Sequence, residues 1–103
     1  MTEKGGRQYR LYVIELADSA GCRLRPHLPC VYVGQTADTP EERFAEHKRG
    51  HKASRVVRKY GLHLRPDLYG HIPAVSSRAE AERLEQQLAQ ELVQGGYRVF
   101  GGH

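Results

Sequence analysis

Val31-Tyr32-Val33-Gly34-Gln35-Thr36-Ala37-Asp38-Thr39-Pro40-Glu41-Glu42 holds the change of pattern that decides the fold. Its first four residues are apolar, β-branched or aromatic and lie between Pro29 and Gly34, so they read as a short strand. Its last four are a helix start. Thr39 can cap, Pro40 suits the first helical position, and Glu42 completes a capping box while meeting the positive end of the helix dipole. A strand that gives way so quickly to a capped helix predicts a small sheet with helices packed on it.

Upstream, Tyr9-Arg10-Leu11-Tyr12-Val13-Ile14-Glu15-Leu16 is rich in β-branched and aromatic residues and predicts a first strand, paired antiparallel with the second. The connection between them, Ala17 to Pro29, is polar, contains Gly21, Pro26 and Pro29, and is long for a hairpin. Downstream, the helix opened at Pro40 should end near Gly50. Ala53, Val56, Val57 and Tyr60 then share one helical face that stops at Gly61. Residues 67–72, bracketed by Pro66 and Pro73, are the candidate third strand. Ser77 and Glu80 form another capping-box pattern, and the helix they open should run to Gly95-Gly96. Tyr97-Arg98-Val99-Phe100 reads as a last strand or extended tail. The expected order is β-β-α-α-β-α with a short end: an α+β fold on a three-stranded antiparallel or mixed sheet.

The last helix carries a residue of the wrong type for its place. At about 100° per residue, Leu84, Leu88, Leu92, Ala81 and Ala89 form one apolar stripe, and Glu85 falls inside it. Glu80, Glu82 and Glu91 fall on the flanks or beyond. A carboxylate on a buried face costs several kcal/mol, roughly, unless a partner compensates it. A metal ion or a cluster of Arg, His and Tyr would do so, and so would a purely structural bond at the rim of the core. Arg43 and His47, four residues apart, share a face of the preceding helix. One can grip a phosphate through its guanidinium fork while the other orients a proton; a solvent-facing pair is the plainer alternative.

With 103 residues the chain is expected to be one domain, 1–103, with a polar, frayed start over 1–7. No apolar run reaches the roughly 20 residues needed to cross a bilayer, and no signal-peptide pattern opens the chain, so a cytoplasmic protein with no membrane partner is expected. The net charge is +4 and the pI near 9.3. Residues 41–66 carry eight Lys or Arg against three Glu, so the middle of the chain holds most of the positive charge. That distribution fits a polyanionic partner or an ordinary solvated surface. Cys22 and Cys30 form no disulfide framework and read as ordinary thiols. With His27 they would supply three zinc ligands at an unusual spacing, one short of a usual site.

Taken together, these positions resemble the GIY-YIG nuclease superfamily over nearly the whole chain. The first signature tripeptide stands here as Arg10-Leu11-Tyr12 and the second as Tyr32-Val33-Gly34, followed by Gln35-Thr36. Arg43 and His47 follow in the order the family uses, and the family's single metal-binding Glu on a later helix corresponds to Glu85. Three departures stand out: Arg10 replaces the first glycine, the loop between Tyr12 and Tyr32 is enlarged, and the chain contains no Asn where many members place one beyond the Glu.

The resemblance implies a metal-dependent endonuclease that hydrolyses phosphodiester bonds in DNA, including structured or branched DNA. Glu85 would anchor one Mg²⁺ or Mn²⁺ ion, Arg43 would neutralise developing charge, and Tyr12 or Tyr32 would act on the nucleophilic water, with His47 relaying or orienting a proton. Lys48, Arg49, Lys52, Arg55, Arg58 and Lys59 would grip the nucleic-acid backbone. No base-reading module is evident, so a protein partner is one source of specificity. The alternative is a non-catalytic DNA- or RNA-binding module on the same fold.

Overall fold

The computed structural model describes residues 7–17 and 29–101. Strands β1 (Arg10–Leu16) and β2 (Cys30–Thr36) pair antiparallel, with Tyr12 opposite Gly34 and Ile14 opposite Tyr32. Helix α1 (Pro40–Arg49) begins with the capping box read from the sequence. The Thr39 side chain accepts from the Glu42 N–H at 3.1 Å, and Glu42 accepts in return from the Thr39 N–H. Gly50 ends the helix in the left-handed conformation, with φ 87°, where a side chain would be strained. Helix α2 (Arg55–Tyr60) follows, and Val57 is its fully buried residue.

The sheet has four strands in the order β3-β1-β2-β4, one more than expected. The expected third strand also lies elsewhere. Strand β3 is Gly61–Leu64, not 67–72, and it starts at the residue that ends α2. A Cβ on Gly61 would lie 2.5 Å from the Val57 carbonyl oxygen, so only glycine allows this abrupt change of direction. Pro66, read as a strand boundary, instead opens a helical turn, α3 (Pro66–Tyr69), where proline's fixed φ suits the first position. Strand β3 pairs antiparallel with β1.

Helix α4 (Arg78–Gln94) starts at Ser77, whose hydroxyl accepts from the Glu80 N–H at 3.3 Å, and stops at Gly95. Strand β4 (Arg98–Gly101) then lies parallel to β2 and turns the possible tail into the fourth strand of a mixed sheet. The central strand β1 buries consecutive residues from Leu11 to Ile14, so both its faces are covered. Leu11, Val13, Ile14, Leu16, Val31, Val33, Val57, Leu88 and Leu92 form the core around it. Each large aliphatic side chain removed from water there contributes about 2 kcal/mol.

Cys30 is fully buried and disulfide-bonded, which corrects the reading of two ordinary thiols and removes Cys30 as a thiolate for zinc. Cys22 and His27 lie outside the described residues. Among the described residues no helix is long and apolar enough to cross a membrane.

Candidate functional site

Residues directly opposite in an antiparallel pair point to the same face. The pairs Tyr12–Gly34 and Ile14–Tyr32 therefore bring both tyrosines to one side of the sheet. Their ring centroids are 6.3 Å apart. Gly34 makes room for this arrangement: a Cβ there would lie 2.5 Å from the Tyr12 hydroxyl oxygen. The glycine of the second tripeptide thus has a steric cause, because the first tripeptide's tyrosine lies across it. Arg10, at the departure from the first tripeptide, is exposed and does not intrude.

Helix α1 delivers Arg43 and His47 to this face, as their spacing predicts. His47 is only 1% exposed, and its Nε2 lies 2.9 Å from the Tyr12 hydroxyl. Its ring stands edge-on to Tyr32 at 5.7 Å. Burial pushes His47 down to about 4, the Arg43 charge adds to the effect, and Glu46 opposes it, so the ring is neutral at pH 7. The Arg43 guanidinium is braced on its far side. Nη1 donates to Glu46 Oε1 at 3.1 Å and to the His51 carbonyl at 3.2 Å, while Nη2 donates to the Lys52 carbonyl at 2.7 Å. Lys52 holds its carbonyl there from a left-handed conformation, φ 45°, that lysine rarely adopts.

Helix α4 brings the inward carboxylate. Glu85 is 8% exposed, on the same helix face as Ala81, Leu88, Ala89 and Leu92, as the helical periodicity predicts. Its charge reaches both phenols. Tyr12 is pushed well above its ordinary value by burial first, then by Tyr32 and Glu85, with Arg43 opposing through charge and a hydrogen bond. Tyr32 is raised by burial and by Glu85, against Arg43 and a hydrogen bond from the Ser54 side chain. The rings of Tyr12, Tyr32 and His47 thus lie within 6.3 Å of one another, and the charges of Arg43 and Glu85 act on both phenols.

The donor set bears on the kind of ion this site can hold. Among the described residues no group of three or more His, Cys, Asp or Glu is placed to hold a metal. A tetrahedral zinc site needs such a group. A small hard cation does not, because it retains water and takes oxygen from a substrate phosphate, with one or two carboxylates from the protein. The single inward Glu85 fits that second pattern.

Arg49, Lys52, Arg55, Arg58 and Lys59 are all exposed. Lys48 differs, because its ammonium donates to the carbonyls of Arg58 and Gly61 at 3.1 and 3.0 Å and ties α1 to the end of α2. Two further residues belong to the site without having been expected there. Ser54 donates its main-chain N–H to His47 Nδ1 at 3.0 Å. Gly101 of β4, with φ 74°, lies against Tyr32 so closely that a Cβ would stand 2.9 Å from its ring. Both contacts depend on the backbone, so no side-chain pattern announces them.

A family model described as the GIY-YIG catalytic domain matches residues 9–98. No curated protein and no solved structure matches the chain significantly.

Proposed function

This chain belongs to the GIY-YIG family, a nuclease family, and from that membership we propose that it is a metal-dependent endonuclease hydrolysing phosphodiester bonds in DNA. The observation that carries this reading is the inward Glu85 carboxylate, whose charge acts on the two phenols that Arg43 and His47 also face. A purely structural ion pair at the core rim has no need of two raised phenols and a neutral imidazole.

Glu85 would hold one Mg²⁺ or Mn²⁺ ion, which when bound supplies Lewis-acid stabilisation of phosphate charge and lowers the pKa of groups beside it. The chain's own residues do the rest. Arg43, fixed by Glu46 and two carbonyls, presents its charge where the non-bridging oxygens become more negative, without reorganising at the moment of reaction. Burial keeps Tyr12 protonated at neutral pH, so in the unliganded protein it holds a water by hydrogen bonding. It takes a proton from that water only when added positive charge offsets the burial. Tyr32, half-buried, stands beside it as the second contact to water or phosphate. As the water oxygen bonds to phosphorus and the ester P–O bond breaks, the Tyr12 phenolate formed under that added charge would take one proton from the water, and a solvent water would protonate the leaving oxygen.

Arg49, Lys52, Arg55, Arg58 and Lys59 supply sequence-independent attraction to the phosphate backbone. With no base-reading module evident in the sequence, selectivity rests on nucleic-acid shape, and a nick, flap or branched junction is the preferred substrate. Cleavage of plasmid and oligonucleotide DNA in Mg²⁺ or Mn²⁺ tests the proposal. Glu85→Ala should lower the rate by about 10²-fold or more while DNA binding persists. No metal-dependent cleavage by the wild type would overturn it in favour of a binding module, the reading that the absence of Asn supports. Equal rates on duplex, single-stranded and branched substrates would remove the shape preference.

A further inference from the structure

His47 is held at both ring nitrogens, and the two bonds are chemically unequal. At Nδ1 the partner is the main-chain N–H of Ser54, 3.0 Å away. An amide N–H can only donate, so Nδ1 must present its lone pair. A neutral imidazole has one ring proton, and it therefore sits on Nε2, 2.9 Å from the Tyr12 hydroxyl oxygen. Nε2–H donates and the Tyr12 oxygen accepts. An oxygen that accepts along the line to Nε2 cannot also donate its own proton along it. The Tyr12 O–H is therefore a donor directed away from His47.

The opposite tautomer would reverse this. Nδ1–H would face the Ser54 N–H, donor against donor, and the bare Nε2 would draw the Tyr12 proton toward itself. One residue of the connector between α1 and α2 therefore reaches His47 through its backbone.

We propose that Ser54 is a positioning residue whose main-chain N–H locks His47 as the Nε2–H tautomer, turning the Tyr12 hydroxyl proton toward the reacting water. The proposal rests on the nuclease reading for its consequence but not for its geometry. Because the N–H belongs to the backbone, any residue except proline supplies it, and no side-chain motif marks it.

The backbone offers a clean test. Ser54 is the N-cap of α2, with φ −67° and no side-chain cap bond, and proline adopts that φ without strain. Ser54→Pro deletes the N–H, while the Ser54 carbonyl still accepts from the Arg58 N–H. Ser54→Ala keeps the N–H and deletes only the hydroxyl. Nitrogen-15 NMR of labelled histidine distinguishes the tautomers directly, and cleavage kinetics read the consequence.

The wild type and Ser54→Ala should show a lone-pair Nδ1 and a protonated Nε2 at His47, whereas Ser54→Pro should show a mixture. The kcat of Ser54→Pro should fall by about tenfold with KM unchanged, the equivalent of one lost hydrogen bond, and Ser54→Ala should fall less. A protonated Nδ1 in the wild type would overturn the proposal, whether or not the proline variant folds. So would a proline variant that keeps the wild-type tautomer, or one whose tautomer is released at unchanged kcat. If the wild type cleaves nothing, the nuclease reading fails, while the NMR result still decides whether Ser54 sets the tautomer.

Discussion

Two clusters on this sheet are assembled from the same residue types and end with different chemistry. Strand β1 contributes to both, Tyr12 to one face and, by the alternation of a strand, Glu15 to the other. On the Glu15 side, Arg65 donates Nε and Nη2 to Asp67 at 3.0 and 2.8 Å and Nη1 to Glu15 at 3.0 Å, and His63 Nε2 approaches Glu15 at 3.7 Å. The fork holds the Asp67 carboxyl below its usual range. On the Tyr12 side, Arg43, His47 and Glu85 meet two phenols instead.

The two histidines show the contrast best. His63 Nδ1 donates to the Leu64 carbonyl, its side chain is 58% exposed, and its Nε2 lies 3.7 Å from Glu15. His47 accepts at Nδ1, is sealed from water and sits beside Arg43, so it resists a second proton. One cluster is a clamp in which each charge has an opposite partner and water nearby. The other holds two phenols, a neutral imidazole, one carboxylate and one braced cation, with Tyr12, His47 and Glu85 buried, where electrostatic interactions are stronger than in water. Residue type does not separate them; access to water and the direction of each hydrogen bond do.

The comparison breaks most visibly at the two arginines. Arg43→Ala should lower metal-dependent cleavage by about 10²- to 10³-fold, the size expected for a lost charge stabiliser, while Arg65→Ala should leave the rate near that of the wild type. Comparable losses in single-turnover assays would show that the Glu15 cluster also serves the chemistry.

Acid stability offers the next contrast. His47 is held down to about 4 in the folded protein, against about 6.5 when unfolded. Below pH 6.5 the unfolded chain binds a proton that the folded one refuses. The contribution is thus fully present above about pH 6.5 and declines toward pH 4, by about 3 kcal/mol in all. Urea unfolding across that window should show the slope in the wild type and in His63→Gln, and should lose it in His47→Gln.

The smallest effect separates the two clusters by salt. Arg65→Ala should lower the melting temperature by a few degrees at low ionic strength and by less at high salt, because its partners are partly solvated. A loss that ignores salt would mean that Arg65 acts through packing, through its aliphatic stem, and not as a charge clamp.

How much of this was open to sequence reading depended on which atoms make each contact. Glu85 was legible because a helix repeats every 3.6 residues, so a carboxylate among leucines can be seen before any fold is known. Arg43 and His47 were legible from their spacing, and Thr39 with Glu42 from a capping pattern that works within one turn. Strand β3 was missed because Gly61 ends α2 and starts the strand at once, leaving no turn residues to mark the change. Pro66 was misread because proline suits a helix start as well as a strand boundary. Lys48 counted as surface charge until α2 placed its last carbonyls against the ammonium.

The sequence by itself determined an α+β chain, the two tyrosine strands, the helix carrying Arg43 and His47, and a glutamate directed into the core. These follow from local periodicity and capping, which act over a few residues. Only the tertiary structure decided that Gly34 makes room for Tyr12, that the carbonyls of His51 and Lys52 brace Arg43, and that the Ser54 N–H holds His47. Those contacts join segments distant in sequence or run through main-chain atoms common to every residue. A backbone N–H carries no identity in the sequence, and it acquires one only when the fold aims it at a particular nitrogen.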